Sequence, residues 1–279
     1  MNRGVDWQGV EEKMVIFTDL DGTLLDYYTY SCDVVRPLIN KLKKAGVEIV
    51  PCSSKTRAEI EFYRWQLGLD APFIAENGGA IFIGRDYFKF VYEYQRQAGE
   101  YNVIELGMLY NNIRRKLDAA RQENGLDFKG FGDMSEAEVA TLTGLDMASA
   151  GRARQREYSE TLDIIGSEVE LKHTLDCLKA AGLDWSRGSR LFCVAVGSDK
   201  GVAVEVLANL YKQKWGSIKT IGVGDSPNDE PMLAVVDFPI LVQKPPGYWE
   251  NIKLPNLYKV NGIGPDGWVK AIEELTDTR

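Results

Sequence analysis

The chain of 279 residues is 44% hydrophobic and 27% charged, enough apolar content for one large or two medium domains around a sizeable core. Its net charge of −8 argues against broad binding to nucleic acid or to anionic membranes, each of which needs a basic face, so a small-molecule partner is expected. Residues 1–13 lack an apolar signal-peptide core, no stretch reaches the apolar length of a bilayer span, and Cys32, Cys52, Cys177 and Cys193 form no Cys-x-x-Cys pair; a cytoplasmic protein with reduced thiols is expected.

The first element in the chain is also the most informative. Met14 to Phe17 is a short apolar, partly β-branched run, as in a parallel strand covered on both faces, and it ends in Thr18-Asp19-Leu20-Asp21-Gly22-Thr23. Ligands of open α/β sheets bind at such strand ends. Side chains two apart on an extended chain face the same way, so Asp19 and Asp21 crowd like charges unless a cation or a proton separates them. Magnesium suits hard carboxylate ligands. With Asp19 as nucleophile and Asp21 as proton donor to the leaving oxygen, the pair suffices for covalent aspartyl-phosphate chemistry. A calcium loop also begins Asp-x-Asp, but its twelfth position requires Glu and here holds Tyr30. A surface turn is the plain alternative.

A helix over Asp33–Lys44 follows, with Pro37 in its first turn and Gly46 closing it. Val47–Val50 is a second buried strand, ending at Pro51-Cys52-Ser53-Ser54-Lys55 before a helix whose Thr56 and Glu59 form a capping box. Ser53 or Ser54 at this place can bind a phosphate oxygen, or can simply be a loop residue. Phe73–Ala75, the turn Glu76-Asn77-Gly78-Gly79 and Ala80–Ile83 read as a strand and hairpin. From Gly84 to Val196 the strand–helix rhythm gives way to paired helices and short strands, which reads as an inserted domain. Within it a helix is expected over Asn102–Gln122, capping boxes at Ser135/Glu138 and Ser167/Glu170, and a strand over Tyr158–Ile165.

The core rhythm returns after Gly197. Lys200 opens a helix running to about Lys214; a lysine at a helix start is ordinarily solvated, but one beside a phosphoryl site neutralises developing charge. Ile218–Val223 is a strand ending in Gly224-Asp225-Ser226-Pro227-Asn228-Asp229, again two carboxylates at a strand end. The single histidine, His173, stands on a helix face away from Leu171, Leu175 and Leu178, so acid–base work falls to carboxylates.

Taken together, the Asp19/Asp21, Ser53, Lys200 and Asp225/Asp229 segments occur in the order of the four motifs of the haloacid-dehalogenase-like phosphohydrolases, and the chain resembles that family over essentially its whole length. The resemblance implies a doubly wound, Rossmann-like parallel-sheet α/β core with an inserted α+β cap: residues 1–84 and 197–279 for the core, 85–196 for the cap. It also implies magnesium as cofactor, held by Asp19, Asp21 and Asp225, with Asp229 either binding it through water or orienting Lys200. Ser53 becomes the second-motif hydroxyl, with Ser54 its rival. Asp21, where the related ion pumps carry Thr, favours hydrolysis over a long-lived phosphoenzyme.

Three further stretches, Arg156-Glu157-Tyr158-Ser159-Glu160, Arg187-Gly188-Ser189-Arg190-Leu191-Phe192 and Gly264-Pro265-Asp266-Gly267-Trp268, resemble signatures of the mannosyl-3-phosphoglycerate phosphatase family. The chain departs from those patterns at Thr161, Ser189 and Cys193, where Pro, Gly and His are usual. The resemblance implies a small phosphorylated sugar or sugar-acid substrate contacted by Ser54, Arg156, Glu157, Ser159, Gly188, Ser189, Arg190 and Asn228. Forked arginine donors suit a glycerate carboxylate, Arg156 and Arg190 first among them, whereas Arg152 and Arg154 read as residues of a wet helix face. A sugar phosphomutase and a non-catalytic metabolite-binding protein are the rival readings.

Overall fold

The computed structural model describes residues 13–187, 191–197 and 199–276. The first half of the chain runs through β1 (Lys13–Thr18), α1 (Arg36–Lys44), β2 (Glu48–Pro51), α2 (Arg57–Leu67), β3 (Phe73–Ala75), β4 (Ala80–Gly84), β5 (Arg96–Ala98), β6 (Tyr101–Glu105) and α3 (Tyr110–Asn124). It continues through β7 (Phe128–Gly130), α4 (Glu136–Thr143), α5 (Met147–Ala153), β8 (Ser159–Ile164), α6 (Glu168–Ala180), β9 (Asp184–Arg187) and β10 (Phe192–Ala195). The last part holds α7 (Lys200–Trp215), β11 (Ile218–Gly224), α8 (Glu230–Val235), β12 (Phe238–Gln243), β13 (Tyr258–Ile263) and α9 (Pro265–Thr276).

The central sheet has the order β13-β12-β11-β1-β2, and all its strands are parallel. Strand β1, paired on both sides by β11 and β2, shows why the apolar run in the sequence does not alternate. Ile16 packs on one face with Leu38, Ile39 and Leu42 of α1 and Trp268, Ala271 and Ile272 of α9. Val15 and Phe17 pack on the other with Ala203, Val204, Leu207 and Tyr211 of α7 and Met232 and Leu233 of α8. Both faces are covered, so every position is apolar.

Two antiparallel sheets flank this layer. One has the order β3-β4-β6-β5 and joins the central sheet's edge by a parallel bridge between Cys52 and Ile74. The other, β7-β8-β10-β9, carries α3 and α6, whose Ile113, Leu117, Ala120 and Leu178 pack on Leu162, Phe192 and Val194. A smaller cluster around Phe131, Met134, Val139 and Ala150 joins α4 to α5.

Two expectations change. The helix read over Asn102–Gln122 starts only at Tyr110, because residues 101–105 form β6. Val103 and Ile104 enter opposite apolar clusters across that sheet, a strand's period of two rather than a helix's. Residues 85–105, read as the start of the inserted domain, therefore extend the β4 sheet. The chain crosses into the β7–β10 unit near Gly107, where Leu106 and Gly107 donate to the Gly79 carbonyl and Met108 donates to that of Val196. The three capping boxes at Thr56/Glu59, Ser135/Glu138 and Ser167/Glu170 form as read.

Candidate active site

The parallel register brings the ends of β1, β2 and β11 side by side, so motifs far apart in sequence meet at one carboxyl edge. Beyond β1, Gly22 takes a φ of 73°, and a Cβ there would lie 2.7 Å from Asp225 Oδ2. Only glycine permits both the turn and that approach. Beyond β11, a Cβ on Gly224 would stand 2.5 Å from Asp229 Cβ, so the bare backbone lets Asp229 fold back over its own strand. From the far side, buried Trp268 donates its indole Nε1–H to Thr18 Oγ1 at 3.2 Å; the tryptophan of the Gly264–Trp268 signature braces the residue before Asp19.

Lys200, fully buried at the start of α7, reaches Asp19 Oδ1 and Asp229 Oδ1 at 2.6 Å each. The remaining oxygen of Asp229 accepts from the backbone N–H groups of Asp225 and Ser226 at 3.0 Å. Both Asp229 oxygens are therefore engaged, in keeping with the expectation that it orients Lys200. Asp225 Oδ1 accepts from Ser226 Oγ at 2.6 Å. Among the described residues nothing hydrogen-bonds Asp19 Oδ2.

Carboxylate oxygens of Asp19, Asp225 and Asp229 lie within 4.8 Å of one another, three buried acids against one ammonium. Burial raises the Asp19 carboxyl well above its ordinary value, with Lys200 opposing and the two neighbouring aspartates adding to the rise. Asp225 is pushed up to about 7 by burial and then by Asp229. For Lys200, burial works downward, but Asp19 and Asp229 outweigh it and hold the ammonium charged. An excess of buried negative charge built from hard oxygen donors is what a divalent cation relieves; the residues fit a metal, with Asp19 and Asp225 free to ligate.

Asp21 departs from the metal-ligand reading. Its carboxylate is outside the three-acid cluster; Oδ2 pairs with Lys55 Nζ at 3.0 Å, while Oδ1 is enclosed without a partner. The physical reason is Lys55, a buried ammonium that draws the side chain to itself. Burial raises the Asp21 carboxyl and Lys55 opposes the rise. Lys55 had no assigned role in the sequence reading, where it passes as the last residue of a loop.

Ser53 is fully buried, its Oγ accepting from the Lys55 N–H at 3.3 Å, which leaves its own proton for a ligand. Ser54 is partly exposed, and its carbonyl accepts from Arg156 Nη1 at 3.1 Å. Arg156 also donates through Nη1 to Ser159 Oγ at 3.0 Å and through Nε to the Ala153 carbonyl at 3.3 Å; Nη2 has no hydrogen-bond partner among the described residues. Beside it opens a cavity of about 450 Å³ lined by Arg96, Tyr110, Asn111, Arg115, Arg156 and Glu157.

Other members of the expected substrate set are committed to the structure. Glu157 lies between Arg57, at 2.8 Å, and Arg96, and Ser159 Oγ donates to Glu76 at 2.5 Å. Glu76 also accepts from the N–H groups of Glu157, at 2.8 Å, and Tyr158, at 3.1 Å, so a buried acid after β3 clamps the start of β8. Asn228 donates to Asn77 Oδ1 at 3.1 Å, and Asn77 donates to Cys193 Sγ at 3.6 Å. Arg152, partly exposed, lies over the Phe62 ring at 4.1 Å. Gly188, Ser189 and Arg190 lie outside the described residues.

Comparison with known proteins follows the same lines. A family model described as haloacid dehalogenase-like hydrolase matches residues 16–244. A protein of Methanococcoides burtonii named glucosyl-3-phosphoglycerate/mannosyl-3-phosphoglycerate phosphatase is 44% identical over 264 residues, covering 94% of this chain and 97% of the relative. A mannosyl-3-phosphoglycerate phosphatase of Pyrococcus horikoshii is 40% identical over 82% of this chain and 90% of its own. Among solved structures, a phosphatase of the haloalkanoate superfamily from Bacteroides thetaiotaomicron superposes with a TM-score of 0.67 at 18% identity, covering 98% of this chain and 99% of that one; it shares the fold.

Proposed function

The chain belongs to the haloacid dehalogenase-like hydrolase family, and on that footing we propose that it is a magnesium-dependent phosphatase of glycosyl-3-phosphoglycerates, with the mannosyl and glucosyl compounds as first candidates. The observation that carries the reading is the three-acid cluster bridged by Lys200 at the carboxyl edge of the sheet. The names of the relatives direct the choice of substrate.

In this reading Asp19 attacks phosphorus through Oδ2, the oxygen Lys200 leaves free. The bond from Asp19 to phosphorus forms as the ester P–O bond breaks. The electron pair leaves with the ester oxygen, which takes a proton from Asp21. Water then attacks phosphorus, Asp21 takes its proton back from that water, and Asp19 departs as a carboxylate. Lys200 and the Ser53 hydroxyl hold the phosphoryl oxygens, and Asp229 holds Lys200. Asp19 and Asp225 would hold magnesium, which would supply the positive charge that lets an anionic nucleophile approach an anionic ester.

The organic half is read by the inserted unit. The cavity beside Arg156 is lined by three arginines, and Arg156 Nη2, without a partner among the described residues, fits a glycerate carboxylate. Because residues 85–105 stay on the core sheet, we draw the cap from about Gly107 to Val196, with the remainder as core. The free cysteines fit a reducing, cytoplasmic setting.

Phosphate release from mannosyl- and glucosyl-3-phosphoglycerate, against hexose 6-phosphates, with and without magnesium, tests the proposal. Magnesium-dependent release favouring the glycosyl-phosphoglycerates is expected. Release from neither class, or equal release without metal, overturns it.

A further inference from the structure

We propose that Lys55 is a positioning residue: it grips one oxygen of Asp21 and thereby fixes the carboxyl that protonates the oxygen leaving phosphorus. The proposal rests on the phosphatase reading above and extends it to a side chain on no motif.

Lys55 is only 6% exposed, and its ammonium faces partners within the protein. Nζ lies 3.0 Å from Asp21 Oδ2 and 3.3 Å from Glu59 Oε1, and stands 5.0 Å from the Tyr30 ring centroid and 5.6 Å from that of Tyr63. Held between two carboxylates and an aromatic wall, the ammonium is directed at Asp21 and Glu59.

The lysine is itself held on both sides. Its N–H donates to Ser53 Oγ and its carbonyl accepts from Glu76 N–H at 3.0 Å. Glu59 divides its oxygens, one accepting from Thr56 N–H at 2.9 Å in the α2 capping box and one facing Lys55. Helix α2 thus carries a fixed arm that ends on Asp21. With Oδ2 tied, the carboxyl cannot spin freely about its last bond, and Oδ1 is the oxygen left enclosed without a partner. The carboxyl is thus fixed on both sides, one oxygen by the ammonium and the other by enclosure. In the reaction proposed, this fixed carboxyl is the group that gives its proton to the ester oxygen.

The test is the dependence on leaving group. An aryl ester such as p-nitrophenyl phosphate expels a stable anion that needs no proton, whereas an alkyl ester such as mannosyl-3-phosphoglycerate does. Lys55→Met is expected to lower kcat/KM on the alkyl ester about tenfold more than on the aryl ester, as Asp21→Asn does, and Lys55→Arg to restore most of the alkyl-to-aryl ratio. Should Lys55→Met not fold, Lys55→Gln, which keeps a donor, is read by the same ratio. Equal losses on both esters in a folded variant overturn the positioning role while leaving the phosphatase reading intact. A wild-type protein that releases phosphate from neither ester overturns both.

Discussion

Two ionic clusters in this chain use the same kinds of side chain and come out opposite. In the cap, Glu160 and Asp133 face Arg114 and Arg121: Arg114 reaches Glu160 at 2.9 Å and also Asp133, while Arg121 reaches Asp133 at 2.9 Å. Tyr110 OH and the N–H groups of Gly130, Gly132 and Thr161 complete the acids' acceptor sites. Two acids meet two guanidinium groups, and Arg121 also reaches the partly exposed Asp118 at 3.4 Å. Burial works against the Asp133 anion, but the Arg114 and Gly130 hydrogen bonds outweigh it and hold the carboxyl well below the usual range. In the core, three buried acids meet one lysine, and burial holds Asp19 and Asp225 above their usual range. Matched charge makes architecture, whereas unmatched negative charge stores a demand for a cation.

Asp225→Asn breaks the unbalanced side and carries the largest expected effect. It removes a candidate metal ligand, so turnover should drop about a hundredfold or more and the magnesium titration should move to higher concentration. Thermal unfolding of the metal-free variant should show no loss of stability, because the change relieves like-charge crowding. An unchanged magnesium titration removes Asp225 from the site.

Arg114→Met breaks the balanced side. It leaves Glu160 buried with one fewer partner and should destabilise the protein by about 3 kcal/mol, read by denaturant unfolding. Activity per folded molecule should persist. A variant that stays stable but loses turnover would give the cap cluster a catalytic role instead.

The smaller effect is in pH. The folded-state value of Asp225 is raised, so the folded state binds protons more tightly than the unfolded one, and stability falls as pH rises from its ordinary 3.8 to about 7. Magnesium should flatten that slope, and Asp225→Asn should remove its own share of it. The Asp133 contribution runs the other way: present above the ordinary carboxylate value, it is lost only in stronger acid as pH falls through the depressed folded value. A metal-free protein whose unfolding temperature does not change across the upper window contradicts the contrast.

How much of this was legible in the sequence follows from the range of each interaction. The β1 run with its terminal acids and the three capping boxes depend on neighbours within a few residues, so pattern alone fixes them. Lys200 was found only through family order, since its two partners lie 181 and 29 residues away. Glu157 was read as a substrate contact because nothing local reveals Arg96 and Arg57, 61 and 100 residues distant. Lys55 passed unremarked for the same reason, its worth lying in a contact with Asp21 across two strand ends. The helix expected over Asn102–Gln122 failed because β4 offers residues 101–105 a pairing edge that propensity does not see.

The most direct test of the central claim is rapid acid quenching of the magnesium-loaded enzyme during turnover of mannosyl-3-phosphoglycerate, followed by peptide mass analysis. The account predicts a phosphoryl adduct on the peptide carrying Asp19 in the wild type, and neither adduct nor turnover in a folded Asp19→Asn variant. Normal phosphate release by folded Asp19→Asn, or an adduct on any other residue, would contradict it.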